Sequence, residues 1–250
     1  MWDDIIFIFI REMKRKRLSG IGTCAYCGMS NVKVTRDHIP PATLFAKPRP
    51  TNLIRVPACE KCHDSQTSLD DEYFKLIMSA RIDTHEHPDA RKGWKKELER
   101  LRNPFRQGLR NLFISRFGTI DLYTKAGLYI GKTGVMKDVD IARLCSVIDR
   151  ITRGLFYIHY GKPLTQLPEK YTVISYPINL IDTLPAELKT KFQVGVLDLV
   201  KHIKDTVIGN KTFAYKFITA PDNKYYSIWF YMFYGKWSFM SMITHEINES

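Results

Sequence analysis

Residues that commonly bind metals are concentrated between positions 24 and 63 of this 250-residue chain. Four of them form two Cys-x-x-Cys pairs, Cys24 with Cys27 and Cys59 with Cys62. Thiolates at this spacing suit a tetrahedral structural Zn²⁺, because each pair can span one edge of the tetrahedron from a tight turn. Four cysteines complete the coordination shell, so we expect this zinc to hold structure and to leave no open position for chemistry.

Three further residues of the same segment could support hydrolysis of a phosphodiester. Asp37 and His38 lie between the two cysteine pairs, and His63 directly follows the second pair. Phosphodiester hydrolysis requires an activated water and a cation that neutralises charge on the reacting phosphate and the leaving oxygen. An imidazole can activate the water because its pKa lies near neutrality. A carboxylate with one further N or O ligand can hold a hard divalent ion.

Two disulfide bonds are the competing interpretation of the four cysteines. No export signal is recognisable in the sequence, and the fifth cysteine, Cys145, would remain unpaired. Both features suit a reducing compartment, so we favour zinc and expect a cytoplasmic protein. Cys145 itself lies in an apolar helical stretch and is expected to be a core residue.

A hairpin, a loop and a helix are the elements expected to position Asp37, His38 and His63. The helix is predicted to start between positions 59 and 63 and to resume from 69 to 78. A unit of residues 20 to 80 is too small to bury a large core, so the zinc is expected to supply much of its folding stability.

The stretches CAYCG, VTRDHIPP and TNLIRVPACEKCHDSQ resemble the HNH endonuclease family of the ββα-metal class, in the subgroup tied by a four-cysteine zinc site. The resemblance covers residues 20 to 75. It implies a DNA endonuclease in which Asp37 and His63 bind a catalytic Mg²⁺ or Mn²⁺, His38 is the general base and Asn52 holds the loop in place. It also suggests a bacterial or phage setting, such as defence against foreign DNA.

One position departs from the pattern of that family. A lysine or arginine often follows the last histidine by a few residues, whereas positions 64 to 67 of this chain read DSQT. Contacts to nucleic-acid phosphates would then come from elsewhere, and the nearest candidates are Arg36, Arg55 and Lys61.

The positive charge of the chain supports a nucleic-acid partner. A net charge of +12 and a pI of about 9.4 attract polyanions, although they do not distinguish DNA from RNA. Basic residues cluster between positions 11 and 17 and again from 81 to 116, where ten Lys or Arg accompany five Asp or Glu. Solvated helix faces are the alternative for any single residue. Together the two segments indicate contacts to the sugar-phosphate backbone, which give affinity without sequence specificity.

Helices and then mostly strands are predicted for the rest of the chain. One helix is expected from 88 to 102, a second up to 117 with Gly118 ending it, and a third from 138 to 159. A hairpin is expected from 120 to 130. Further strands are expected near 171–178, 212–219, 225–234 and 236–243.

We therefore predict an α+β fold. An N-terminal zinc-stabilised ββα-metal (HNH) module is followed by basic helices and by a C-terminal α+β domain with an antiparallel sheet. The regions are expected to be a basic extension at 1–19, the module at 20–80, a basic helical segment at 81–118 and the C-terminal domain at 119–250. The last region could form a homodimer or bind a partner protein.

Other patterns are assigned to structure rather than to chemistry. The GKT at 131–133 lacks the glycine that a phosphate-binding loop needs five residues earlier. His85 and His87 are expected in an exposed loop, and the aromatic run from 225 to 237 is expected to pack rather than to stack bases. The apolar run at 5–10 is too short to cross a membrane.

Two alternatives to a nuclease stay open. The first is a catalytically inert zinc-binding module that binds nucleic acid through its basic segments. The second is a nuclease subunit that cuts only with a partner protein.

Overall fold

The cysteine pairs lie beside a small antiparallel sheet. A computed structural model describes residues 20–136, 138–178 and 202–245, so the apolar and basic runs before position 20 lie outside the described residues. The sheet has the strand order β1–β2–β3. Its strands are β1 (Gly20–Gly22), β2 (Val32–Ile39) and β3 (Ile54–Cys59). Within β2 and β3, Asp37 is opposite Val56 and His38 is opposite Arg55.

The helix after this sheet begins later than the sequence predicts. Residues Glu60–Cys62 form a short 3-10 turn, and helix α1 spans Ser65–Ala80. Asp64 caps it, because its carboxylate accepts a hydrogen bond from the backbone N–H of Thr67 at 2.9 Å. His63 therefore lies in the link between the turn and α1 rather than on the helix. The order hairpin, loop and helix is as expected.

Two shorter helices and a hairpin follow α1. Helix α2 spans Pro88–Leu101 and helix α3 spans Gln107–Ser115. Strands β4 (Phe117–Tyr123) and β5 (Tyr129–Met136) then form a two-stranded antiparallel ladder. The prediction that Gly118 ends a helix is wrong, since α3 stops earlier and Gly118 pairs with Val135 in this ladder.

An antiparallel sheet dominates the C-terminal region, as predicted, and its five strands include one at 206–208 that was not predicted. It follows helix α4 (Ile141–Tyr160), which begins at the cap Asp140 and ends at Gly161 with a positive φ of 72°. The strand order is β6–β10–β9–β8–β7. The strands are β6 (Tyr171–Pro177), β7 (Thr206–Ile208), β8 (Phe213–Thr219), β9 (Ser227–Phe233) and β10 (Trp237–His245). Alternate aromatic residues of β9, Trp229, Tyr231 and Phe233, are buried, which confirms packing rather than an exposed stacking surface for them.

The hydrophobic core is continuous between the cysteine segment and the five-stranded sheet. Helix α4 lies directly against β2, where a Cβ at Gly154 would collide with the side chain of Ile39. The hydroxyl of Tyr234 also donates a hydrogen bond of 2.8 Å to the carbonyl of Leu44. The strand that carries Asp37 and His38 is thus fixed by the C-terminal half of the chain. Among the described residues, no helix is both long enough and apolar enough to span a bilayer.

Candidate functional site

The four cysteines of the two pairs meet at one point. Their Sγ atoms all lie within 4.8 Å of one another, and the Sγ atoms of Cys27 and Cys59 are 3.8 Å apart. In a tetrahedral zinc site with Zn–S bonds of about 2.3 Å, the sulfur atoms are about 3.8 Å apart. A disulfide would need about 2 Å between sulfurs, and all five cysteines are free thiols. This cluster could therefore hold a zinc ion.

Local backbone geometry brings the first cysteine pair to the second. The N–H of Gly28 donates to the carbonyl of Cys24 at 3.0 Å, which closes the first turn, and the N–H of Cys59 donates to Sγ of Cys24 at 3.4 Å. Gly28 has a φ of 72°, a conformation that favours glycine. Burial and the negative charge of Cys24 raise the pKa of the Cys62 thiol well above its usual range. Four thiolates would coexist here only with a cation to neutralise them.

Asp37 lies on the buried side of β2 and its carboxylate is held on both oxygens. The hydroxyl of Tyr26 donates to Oδ2 at 2.6 Å, and the backbone N–H of His38 donates to Oδ1 at 2.7 Å. Tyr26 lies inside the first Cys-x-x-Cys pair, so the cysteine turn also positions the carboxylate. Asp37 is only 5% exposed.

His63 approaches the same carboxylate from the link before α1. Its Nε2 lies 3.6 Å from Oδ1 of Asp37, and 31% of its side chain is exposed. Ligand atoms of a six-coordinate ion with bonds of about 2.1 Å are about 3 Å apart, so small movements would let both residues share a divalent ion. The pair therefore consists of a nearly buried carboxylate oxygen and a partly exposed imidazole nitrogen.

His38 is half-buried on the other side of β2 and is bonded to its cross-strand partner. Nε of Arg55 donates to Nε2 of His38 at 3.1 Å. Nε2 must therefore be unprotonated, which leaves the proton of the neutral ring on Nδ1. Burial, followed by the charge of Arg55, lowers the pKa of His38 below its usual value. The imidazole is thus neutral at physiological pH, as a general base must be.

A second layer of buried polar residues surrounds Asp37 and was not predicted from the sequence. The guanidinium of Arg150, on α4, is bonded to the carboxylate of Asp71, on α1. Burial raises the pKa of Asp71 to about 7, and the charge of Asp37 acts in the same direction. Burial and Asp37 also raise the pKa of Tyr26. Tyr26 could have been noticed from its place between Cys24 and Cys27, whereas no sequence pattern connects Arg150 with the site.

Asn52, expected to hold the loop between the strands, bonds to a distant part of the chain. Its Nδ2 donates to the carbonyl of Val207 at 3.2 Å, and its Oδ1 accepts from the N–H of Gly209 at 3.3 Å. It therefore joins the loop to β7 and the turn that follows.

The three residues expected to contact phosphate are all exposed. Arg36 and Arg55 lie on the same face of the hairpin as His38, because residues two apart on a strand share a face and opposite partners do so as well. Lys61 lies on the 3-10 turn just before His63. These positions border the site.

The other predicted candidates have structural roles. Nε2 of His85 is 2.9 Å from the carbonyl of Ser79, and Nε2 of His87 is 2.6 Å from the carbonyl of Asn210. Both rings are half-buried, so the expectation of an exposed loop is wrong. Cys145 is also half-buried, and its thiol donates to the carbonyl of Ser175 at 3.3 Å. The GKT at 131–133 lies within β5.

Comparisons with known proteins identified no relatives. No family model, no curated protein and no solved structure matches this chain significantly.

Proposed function

We propose that this protein is a metal-dependent phosphodiester hydrolase of the HNH type, acting as an endonuclease on DNA. One observation carries the proposal: Oδ1 of Asp37 and Nε2 of His63 are 3.6 Å apart beside a neutral His38. These groups come from two different elements, a strand and the link before α1. A structural zinc site alone would not require Asp37, His38 or His63.

Asp37 and His63 would hold a Mg²⁺ or Mn²⁺. Such an ion, when bound, neutralises charge on the scissile phosphate and on the leaving oxygen. The protein holds the carboxylate of Asp37 in place through Tyr26, so the site keeps its shape before substrate arrives. The four cysteines fix the two elements that carry these ligands, and their zinc takes no part in the reaction.

His38 would accept a proton at Nε2 from the attacking water. In the absence of substrate, Arg55 occupies this lone pair. A phosphate oxygen is a stronger acceptor for a guanidinium than a neutral imidazole is, because the bond is between opposite charges. Binding of the nucleic acid would therefore draw Arg55 to the phosphate and free Nε2 for the water. Arg55 thus contacts the substrate and protects the base until substrate is bound.

A plasmid-nicking assay with Mg²⁺ or Mn²⁺ tests the proposal. The wild type should convert supercoiled DNA to nicked circles, and His38→Ala should lower the rate at least a hundredfold, as loss of a general base does. His202→Ala is the matched control, because this histidine is exposed and belongs to none of the elements that carry Asp37, His38 and His63. It should cut as the wild type does.

Two results would contradict the proposal. If the wild type binds DNA but leaves it intact with each divalent ion, a zinc-stabilised binding module describes the protein better. If His38→Ala cuts as fast as His202→Ala, the activity belongs to another site. Addition of a lysate from the source cells, followed by purification of any stimulating component, identifies a subunit that needs a partner.

A further inference from the structure

A cleft of about 270 Å³ lies between the loop that joins β2 to β3 and helix α2. The loop comprises residues 40–53 and contributes Lys47 and Arg49 to one wall, while Lys92 and Lys96 of α2 contribute to the other. All four side chains are exposed. We call this feature the basic cleft.

One acidic residue beside the basic cleft, Glu97, is already neutralised by cations of the protein. Glu97 is buried and accepts from Nζ of Lys75 at 2.6 Å and from Arg100 at 3.0 Å. Asp89 lines the cleft and accepts a hydrogen bond from the hydroxyl of Thr212, which leaves its negative charge in place. Two of the cations that line the cleft, Lys75 and Arg100, are therefore used within the protein.

Four cations remain for a ligand. Within the described ranges, Lys47, Arg49, Lys92 and Lys96 form no ion pair, and Asp89 is the acidic residue that shares the wall with them. The cleft therefore has a surplus of positive charge that nothing else in the described part of the chain compensates.

The spacing of the charges suits a chain of phosphates. Lys92 and Lys96 are one helical turn apart on the same face of α2, a rise of about 6 Å. This separation is comparable to that between neighbouring phosphates of one nucleic-acid strand. Lys47 and Arg49 face them from the opposite wall, so a strand lying in the cleft would have cations on both sides.

The basic cleft is also connected to the proposed site by a firmly held loop. The loop leaves β2 directly after His38 and Ile39, and it returns to β3 at Ile54, which pairs with Ile39. Asn52 ties the loop to β7, and Tyr234 ties it to the five-stranded sheet through the carbonyl of Leu44. The wall that contains Lys47 and Arg49 is thus fixed relative to the hairpin.

We propose that the basic cleft binds the phosphate backbone of the nucleic acid on one side of the scissile bond. That the bound strand continues from the basic cleft to the cleavage site rests on the proposed function. Binding of backbone phosphates by Lys47, Arg49, Lys92 and Lys96 can be measured without any cleavage.

The test is the salt dependence of binding of the zinc-bound protein to a labelled DNA duplex, measured by fluorescence anisotropy with no Mg²⁺ or Mn²⁺ added so that no cut occurs. The variant Lys92→Gln/Lys96→Gln removes two cations from the cleft. The control Arg91→Gln/Lys95→Gln removes two exposed cations with the same spacing from the neighbouring face of α2. Each lost phosphate contact should reduce the slope of log K against log salt by about 0.9. The cleft variant should thus lose about 1.8 and bind roughly ten- to a hundredfold more weakly at about 0.1 M salt.

The outcomes separate this proposal from the nuclease proposal. If the cleft variant and the control change the slope equally, or if the wild type does not bind the duplex, the basic cleft is not a phosphate-binding groove. If the cleft variant alone loses slope while the wild type never nicks DNA, the groove stands and the endonuclease proposal fails. Melting curves of both variants show whether either change has unfolded the helix.

Discussion

Arg55 donates its Nε–H to Nε2 of His38 across a pair of strands in which the two residues are direct partners. The bond places a permanent positive charge beside the Nε2 lone pair, which His38 would use as the proposed general base. A fixed cation destabilises the imidazolium form, so it keeps the ring neutral at physiological pH. In the proposed reaction this contact would open when water or a phosphate oxygen enters the site.

Removal of this charge should raise the pKa of His38. In Arg55→Gln the imidazolium no longer faces a guanidinium, so protonation becomes easier and the pKa moves up towards its usual value. We expect an NMR titration of the zinc-bound protein, with no other divalent ion present, to show this upward shift. The acid limb of a cleavage profile would move to higher pH in the same direction.

Lys33→Gln is the control for that titration. Lys33 is an exposed cation on the same strand, and its removal lowers the net charge equally. An equal shift in both variants would mean that general charge, rather than the contact with Arg55, sets the pKa of His38.

Loss of one cysteine of the cluster should lower both the zinc content and the stability of the protein. Cys62→Ser removes one of four thiols that lie within 4.8 Å of one another, so zinc per chain should fall from one to well below one. The free energy of unfolding should fall by several kcal/mol, because binding of a structural zinc is coupled to folding. Metal analysis by mass spectrometry and urea unfolding measure the two effects.

Cys145→Ser is the matched control for the zinc prediction. Its thiol lies on α4 outside the cysteine cluster, so zinc content should be unchanged. Full zinc content in Cys62→Ser would show that the cluster does not bind the metal.

Tyr26→Phe should weaken the proposed divalent-ion site without removing a ligand. The change deletes the 2.6 Å hydrogen bond to Oδ2 of Asp37 and leaves a buried acceptor unsatisfied, at a cost of about 1–3 kcal/mol in stability. Loss of a group that orients a metal ligand typically reduces metal affinity or activity roughly ten- to a hundredfold. The dependence of the nicking rate on Mg²⁺ concentration should shift accordingly.

Tyr157→Phe provides the comparison for that measurement. This tyrosine is half-buried on α4, and its hydroxyl makes no hydrogen bond with the residues that the structure describes. Its nicking rate should depend on Mg²⁺ as the wild type's does. The same shift in both variants would mean that the hydroxyl of Tyr26 does not support the divalent-ion site.

Sequence patterns could locate Asp37, His38 and His63 because these residues share a short segment with the cysteine pairs. The same patterns placed His63 on a helix, whereas Asp64 caps α1 and leaves His63 before it. Periodicity also predicted α4 and most strands, since apolar spacing shows which face of an element is buried. It does not show which element covers that face.

The contacts that hold the site together are therefore the part that sequence could not supply. Asn52 and Val207 are separated by 155 positions, and Arg150 meets Asp71 across 79 positions. In each case two polar groups are brought together by the packing of helices and sheets, not by their spacing in the sequence. The proposed division between 20–80 and 119–250 stays a prediction, and the continuous core shows that the two regions depend on each other.

Burial of the His159 ring should make the folded protein less stable in mild acid. Its ring lies against Phe217 and Trp229, with Nε2 3.0 Å from the hydroxyl of Tyr215. Burial lowers its pKa to about 4 in the folded protein, against about 6.5 when unfolded. The unfolded state therefore binds more protons between these values. The contribution of the neutral ring to stability is complete above about pH 6.5 and declines as the pH falls towards 4.

Urea unfolding of wild type and His159→Gln, at about pH 7.5 and about pH 5.5, measures this contribution. Between these conditions the wild type should lose about 1 kcal/mol more than the variant, because glutamine does not titrate. Asp71, whose raised pKa has the opposite effect on the pH dependence, is present in both proteins and cancels in the comparison. Equal losses in the two proteins would mean that His159 can be protonated in the folded state without cost, contrary to its enclosure by three aromatic rings.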